Sequence, residues 1–193
     1  MIAIGNGESR KSIDINSIDQ IKVGCNAIFR DYNIQHLVCV DKRMIAEALD
    51  AGANYSSLVY TREELFDAFQ TKRLRIVPDL PYAGFERPDL PKHWGSGPYA
   101  VLLAATLTKN NKVDLIGFDL YGVDGKVNNV YKDTPNYAVS EKSAVDPRYW
   151  IYQIGKVFEF YTKIEFTIYQ TEGWKCPKSW KKSNVKVDII SNI

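Results

Sequence analysis

The chain has 193 residues and little of the chemistry that most often marks a site: 3 cysteines, 2 histidines and 2 methionines. Cys25, Cys39 and Cys176 lack both an even count and metal-ligand spacing, which argues against a disulfide framework and a cysteine-held metal. Cys25 and Cys39 sit in apolar, strand-like runs and read as buried thiols, as in a reducing compartment. Neither sign of charge dominates. With 25 basic and 23 acidic residues the formal net charge is +2, so there is no global electrostatic case for a polyanion partner, and a local basic patch stays open. No apolar run is long enough to cross a bilayer, and no basic region followed by an apolar one opens the chain. The expectation is a soluble, cytoplasmic protein with no membrane span. Internal repeats and low-complexity segments are also missing.

What is present is the patterning of a folded domain. Hydrophobic residues make up 45% and charged residues 25%, enough for one core. Short apolar runs alternate with helical spacing. Strands are expected at Met1–Ile4, within Gln20–Phe29, and at His36–Val40, Ser57–Tyr60, Leu74–Val77, Val113–Phe118 and Lys163–Tyr169. Helices are expected at Arg43–Ala51, after Thr61 as a cap with Glu64 as its capping-box partner, at Pro98–Leu107, and from Pro147. This order predicts an α/β fold, a Rossmann-like and mostly parallel sheet with helices on both faces. Pro78–Pro91 reads as an irregular loop on the active face. Residues from about 121 to 146 are polar and rich in Gly, Asn, Asp and Pro, and read as a lid. The expected organisation is one domain over 1–173 and a basic, aromatic tail over 174–193, whose last run can add an edge strand.

Asn6, Asn26, Asp41 and Asp119 each fall at or just beyond the end of a predicted strand. In an open parallel sheet, ligands bind at that carboxyl edge. Gly5-Asn6-Gly7-Glu8-Ser9 follows the first strand directly. Glycines there let the backbone approach a ligand, and free amides can face phosphate oxygens. The Asn6 amide can both donate and accept. The segment is neither a P-loop nor the three-glycine dinucleotide fingerprint, so a plain tight turn is the competing reading.

Taken together, "IGNGES", "VGCNAIF" and "HWGSGPYAVLLAATLTKNNKVDLIGFDLYG" resemble the bacterial sialyltransferases that modify surface oligosaccharides. Those enzymes have a Gly-Asn-Gly-Pro-Ser start, a Cys-Asn second strand, a Thr-Ser-Gly helix start and a Gly-Ile-Asp-Phe-Tyr strand end. The related pterin pyrophosphokinase-like superfamily shares the first and third features. The resemblance spans most of the chain. It implies a CMP-linked sugar donor, catalysis without a metal, and an oligomer that is often a tetramer. It implies nucleotide contacts from Asn6, Asn26, Ser96 and Gly97; the turn residues Gly5, Gly7 and Ser9 are candidates beside them, and Asp119 is expected to orient the loop or bind ribose. It also implies that Tyr121, with Tyr131 and then Tyr137 as the second tyrosine, hydrogen-bonds the leaving phosphate. The departures are specific. Glu8 stands where the family has proline, His93 where it has an arginine, and no histidine lies before the last helix, where the general base belongs. Asp146 is nearest that place and is equally an ordinary helix cap.

Other readings remain open. His93 can serve as acid, base or phosphate donor, or lie in a surface loop. His36, at the start of a core strand, reads as structural. Asp41 and Asp119 can hold Mg²⁺, the expectation for a phosphotransferase of the pterin pyrophosphokinase type. Lys42 and Arg43 can instead pair with Asp41. "WKCPKSWKK" interleaves tryptophan with lysine, a pattern that can stack bases and neutralise phosphates, or it can pack on the domain. The leading expectation is a glycosyltransferase taking a nucleotide sugar, CMP-linked by preference, to an unknown acceptor hydroxyl. The alternatives are the Mg²⁺-dependent phosphotransferase and a catalytically inactive nucleotide- or nucleic-acid-binding module, which would suit a phage or mobile-element gene.

Overall fold

The structure is a computed structural model and describes residues 1–69 and 73–193. One sheet organises them. Its strands are β1 (Ile2–Ile4), β2 (Lys22–Cys25), β3 (His36–Val38), β4 (Leu58–Thr61), β5 (Leu74–Ile76), β6 (Lys112–Ile116), β7 (Glu165–Gln170) and β8 (Val185–Ile189). Every pairing is parallel, in the order β5-β4-β3-β2-β1-β6-β7-β8. The α/β, Rossmann-like expectation therefore holds. The chain winds outward from β1 to β5, returns, and winds outward again from β6. The switch point lies between β1 and β6, where Ile2 is in register with Asp114.

Parallel strands are covered on both faces, so they read as near-continuous apolar runs. Ile2 and Ile4 of β1 pack into one core layer with Leu37, Val59 and Ile116. Ala3 points to the other, with Val23, Leu115 and Phe166. The first layer is covered by α1 (Lys42–Asp50), α2 (Ala53–Ser56) and α3 (Glu63–Phe69). The second is covered by α4 (Ser96–Leu107) and α5 (Arg148–Phe160). Helix α4 is buried almost all round, from Ser96 to Ala105, because it lies between the sheet and α5. A helix that is apolar on every side needs such a place.

Two expectations change. Thr61 does not cap α3. It is the buried last residue of β4, and its hydroxyl has no partner. The apolar demand of the strand end outweighs its local match to a capping box. The segment from Trp174 onward is bound into the sheet's covering layer. Trp180 is fully buried, its indole N–H donating to the Ile151 carbonyl of α5 at 2.8 Å. The half-buried Trp174 donates to the Asp119 carbonyl at 2.8 Å. Strand β8 then pairs with β7 as the expected edge strand. The two indoles are thus engaged with the domain, and stacked bases lose the platform that the tail reading gave them.

At the switch point the first turn and the β6 turn touch backbone to backbone. A Cβ on Gly5 would stand 2.3 Å from the Gly117 oxygen, and one on Gly117, whose φ is +69°, 2.6 Å from the Gly5 oxygen. Gly5→Ala is expected to cost about 1–3 kcal/mol through overpacking, read as a lower urea midpoint at unchanged m-value.

Candidate functional site

A cleft of about 430 Å³ opens at the carboxyl edge of the sheet, above the switch point. That volume is in the range of small-ligand pockets. Its floor is Gly5, Asn6 and Gly7 after β1, Cys25 at the end of β2 and Asn26 after it, Val40 and Asp41 after β3, and Gly117 to Leu120 after β6. One wall is the start of α4, with Trp94, Gly95, Ser96 and Gly97. Asn128 and Asn129 of the lid, and Trp150 and Ile154 of α5, close the rest. So the cleft gathers Gly5, Asn6, Gly7, Asn26, Ser96, Gly97 and Asp119, all expected at a nucleotide site. Ser9 stands behind Asp119 rather than in the lining.

The glycine turn differs from a phosphate nest in one respect. Most of its amides are already used: Gly5 N donates to Ile116 O and Gly7 N to Gly117 O, both at 2.8 Å. Glu8 N donates to Asn128 Oδ1 at 2.8 Å, and Ser9 N to Asp119 Oδ2 at 2.9 Å. The Ser9 hydroxyl donates to the other Asp119 oxygen. Gly7 is glycine because any Cβ would strike that carboxylate, 2.3 Å away. The glycines seat two loops together, and Asp119 clamps them.

Polar atoms without partners lie elsewhere around the cleft floor. Asn6 is buried, and its Nδ2 donates to Cys25 O and the Tyr137 hydroxyl, each at 3.2 Å. Its Oδ1 has no partner, and neither does Asn26 Oδ1. Asn26 also holds a left-handed φ of +53°, as does Leu120 at +66°. Non-glycine residues in that region store strain, which concentrates at functional sites. Helix α4 begins at Gly95, which has no side chain to cap it. The first amides of such a helix lack intrahelical acceptors and favour anions. Ser96 Oγ accepts from Val40 N at 3.0 Å, fixing the helix start to the end of β3. The Cys25 thiol is pushed up to about 12 by burial, against the opposing pull of Arg10, so it is no nucleophile at neutral pH.

The four residues expected to act on the bond lie outside the lining. Asp146 is exposed at the turn into α5, accepting from Arg148 N at 2.9 Å and Arg148 Nε at 2.6 Å. Its carboxyl is held below the usual range by the Arg148 amide above all. His93 packs edge-on to Tyr149, with centroids 6.4 Å apart. Burial, then Arg87, Lys92 and Arg62, disfavour its imidazolium. Tyr121 lies beside Trp174 at the surface. Tyr131 is buried, accepting from Arg10 Nη2 at 3.1 Å. His36 meets the Tyr60 hydroxyl at 3.1 Å, at the start of β3 and away from the cleft. Asp41 caps α1, accepting from Arg43 N and Met44 N. Among the described residues no group of three His, Cys, Asp or Glu side chains converges as a metal site.

Glu8 faces away from the cleft. It pairs with Lys11 and, at 3.2 Å, with Lys132 of the lid. Burial raises its pKa, but the two lysines outweigh that and hold it below the usual carboxylate range. The lid is fastened at further points. Val130 N donates to Asn6 O at 2.8 Å. Arg30 donates to Glu47 at 2.6 and 2.8 Å, to Thr134 Oγ1 at 2.7 Å and to Pro135 O at 2.9 Å. Arg10 lies over the rings of Tyr32 and Tyr131, and Arg30 over Tyr131 and Tyr137. Sequence reasoning missed the rim residues Arg62, Lys92, Trp94 and Trp150. The expected lid held the signal for Asn128 and Asn129 only as a composition.

Comparison of the chain with protein-family models, with curated proteins and with solved structures returns no match. Among the described residues no helix is long and apolar enough to cross a membrane.

The lid fastening carries a pH dependence. Glu47 is lowered by Arg30 first, with burial opposing and Asn136 adding. A carboxyl lowered in the fold contributes stability above its unfolded pKa, about 4.3, and loses it as pH falls through the folded value. Amide exchange of residues 131–137 is expected to accelerate in that window, relative to β1 and after correction for intrinsic rates. Glu47→Gln is expected to weaken the transition, and Glu47→Gln with Glu8→Gln to remove it, since Glu8 holds Lys132 of the lid in the same way.

Proposed function

We propose that the cleft binds a nucleotide-linked sugar, CMP-linked by preference, and that the protein transfers the sugar to an acceptor hydroxyl. The observation that carries this reading is the meeting, at one switch point, of two kinds of group. The uncapped α4 amides suit a phosphate. The partnerless Asn6 and Asn26 oxygens suit donors such as ribose hydroxyls, since a buried acceptor left unmade costs about 1–3 kcal/mol. The resemblance in the same segments points to the CMP donor. Catalysis would be stabilisation of the departing phosphate by pre-set donors in a closed site.

A second reading has its own observation. Asp146, His93, Tyr121 and Tyr131 stand outside the lining, and Asp119 is occupied by Ser9. A nucleotide-binding module without transfer fits that arrangement. A phosphotransferase would need Asp41 and Asp119 to leave their present partners for Mg²⁺.

Calorimetry with CMP, UDP, GDP and ATP separates these readings. CMP is expected to bind, with ATP weaker and indifferent to EDTA. No heat with any cytidine nucleotide would remove the CMP reading. Release of CMP from a CMP-sugar distinguishes a transferase from a binding module. Asn26→Asp keeps a residue type that tolerates the left-handed backbone and adds a negative charge to the cleft that is to receive the phosphate. Like-charge repulsion is expected to weaken CMP about tenfold, and the thermal midpoint is expected to fall, because the Asn26 oxygen is buried and an unpaired carboxylate there is costly.

A further inference from the structure

Two cations at the cleft rim are unused by the reading above. Arg62 follows β4, and Lys92 lies in the turn Pro91–His93 just before α4. Both line the cleft. An Arg62 Nη1 hydrogen bond to the Lys92 carbonyl ties the two loops together and fixes the guanidinium at the rim. Arg62 is mostly covered, with 19% of its side chain exposed, and its Nε also faces the exposed Glu64 at 3.0 Å. Glu64 is outside the lining. Lys92 is exposed and has no carboxylate in ion-pair reach among the described residues. The carboxylates of the lining are directed elsewhere, Asp41 to the α1 amides and Asp119 to Ser9.

The position matters as much as the sign. The start of α4 is bonded to Val40, two residues past β3. Strand β4 is the next strand in the sheet, away from the switch point, offset by roughly 4.8 Å. Arg62, which follows β4, and Lys92, which precedes α4, therefore line the same cleft as the α4 start, on the β4 side rather than the switch-point side that carries Asn6.

We propose that Arg62 and Lys92 form a second anion subsite, so that the ligand of this cleft carries two anionic groups. These are the two phosphates of a nucleoside diphosphate, or one phosphate and the carboxylate of an acidic sugar. The proposal rests on the nucleotide reading for the first group. A guanidinium and an ammonium give charge-assisted hydrogen bonds to phosphate or carboxylate alike.

The test is calorimetry at low ionic strength with CMP, CDP, CMP-N-acetylneuraminate and inorganic pyrophosphate. The proteins are the wild type, Arg62→Ala/Lys92→Ala, and Lys92→Glu. The last variant changes an exposed side chain and leaves the carbonyl that receives Arg62. The expected result is that one two-anion ligand binds at least tenfold more tightly than CMP. That gain disappears in both variants, while CMP itself weakens by clearly less than the gain. A gain with CDP alone assigns the second group as phosphate, and a gain with the sugar nucleotide alone assigns it as carboxylate. Equal affinity for CMP and both two-anion ligands overturns the subsite and leaves the cleft reading standing. Failure of CMP with retained pyrophosphate binding, lost in both variants, overturns the CMP reading and sustains the subsite. If neither CMP nor pyrophosphate binds and CDP shows no gain, both ideas fail.

Discussion

The close backbone contact of Gly5 with Gly117 is the constraint on which the site depends. Parallel strands β1 and β6 are neighbours, and the turns that follow them meet at these two glycines. A side chain on either glycine would hold the two turns apart. Without one, Gly5 and Gly7 donate across to Ile116 and Gly117, and the Asp119 carboxylate bonds Ser9 through both oxygens. The floor of the cleft is thereby set before any ligand arrives. Preorganised polar groups cost nothing to rearrange at binding, which is their advantage over loose ones.

The lid is held by cations on aromatic rings as well as by the packing of Val130, Tyr131 and Tyr137 against the core. Arg10 is buried, with Tyr32 and Tyr131 against its guanidinium. Arg30 spans Tyr131, Tyr137 and Glu47. Glu8 adds Lys132. The residue that departs from the resembling family's proline is therefore part of the lid's fastening, and its charge is spent on lysines. A proline there would have no N–H for Asn128. Tyr137 links this layer to the cleft, because its hydroxyl meets both Asn6 Nδ2 and Ala27 N. A loosened lid would free an Asn6 amide donor.

The strands were legible because burial on both faces writes a continuous apolar run, and the polar residue that ends each run marks the ligand edge. Asn6, Asn26 and Asp119 were found in that way. Helix α4 was legible as an apolar segment with a Ser-Gly start. The rim was not. Arg62 and Lys92 are ordinary exposed-type residues on different loops, and only the sheet order brings them together. Thr61 misled because a Thr-x-x-Glu pattern is local, whereas its burial is a tertiary fact. The lid was legible as a polar stretch, but which of its tyrosines face cations is decided by Arg10 and Arg30, far away in sequence. That the tail tryptophans pack on the domain is one of two readings of "WKCPKSWKK", and only the structure shows what they meet, because a carbonyl partner leaves no trace in composition.

The central position of β1 also bears on how the protein is made. Its neighbour on one side, β2, arrives within about twenty residues. On the other, β6, it pairs in register with residues about 110 positions later. At a synthesis rate of about 5–20 residues per second, that gap lasts on the order of ten seconds. Over that interval the first strand exists with one edge satisfied and one unpaired, and pairings so distant in sequence form slowly even in the complete chain. The most interior strand of the sheet is thus the one that waits longest for its second partner, and the nascent chain must keep that edge from pairing with another molecule.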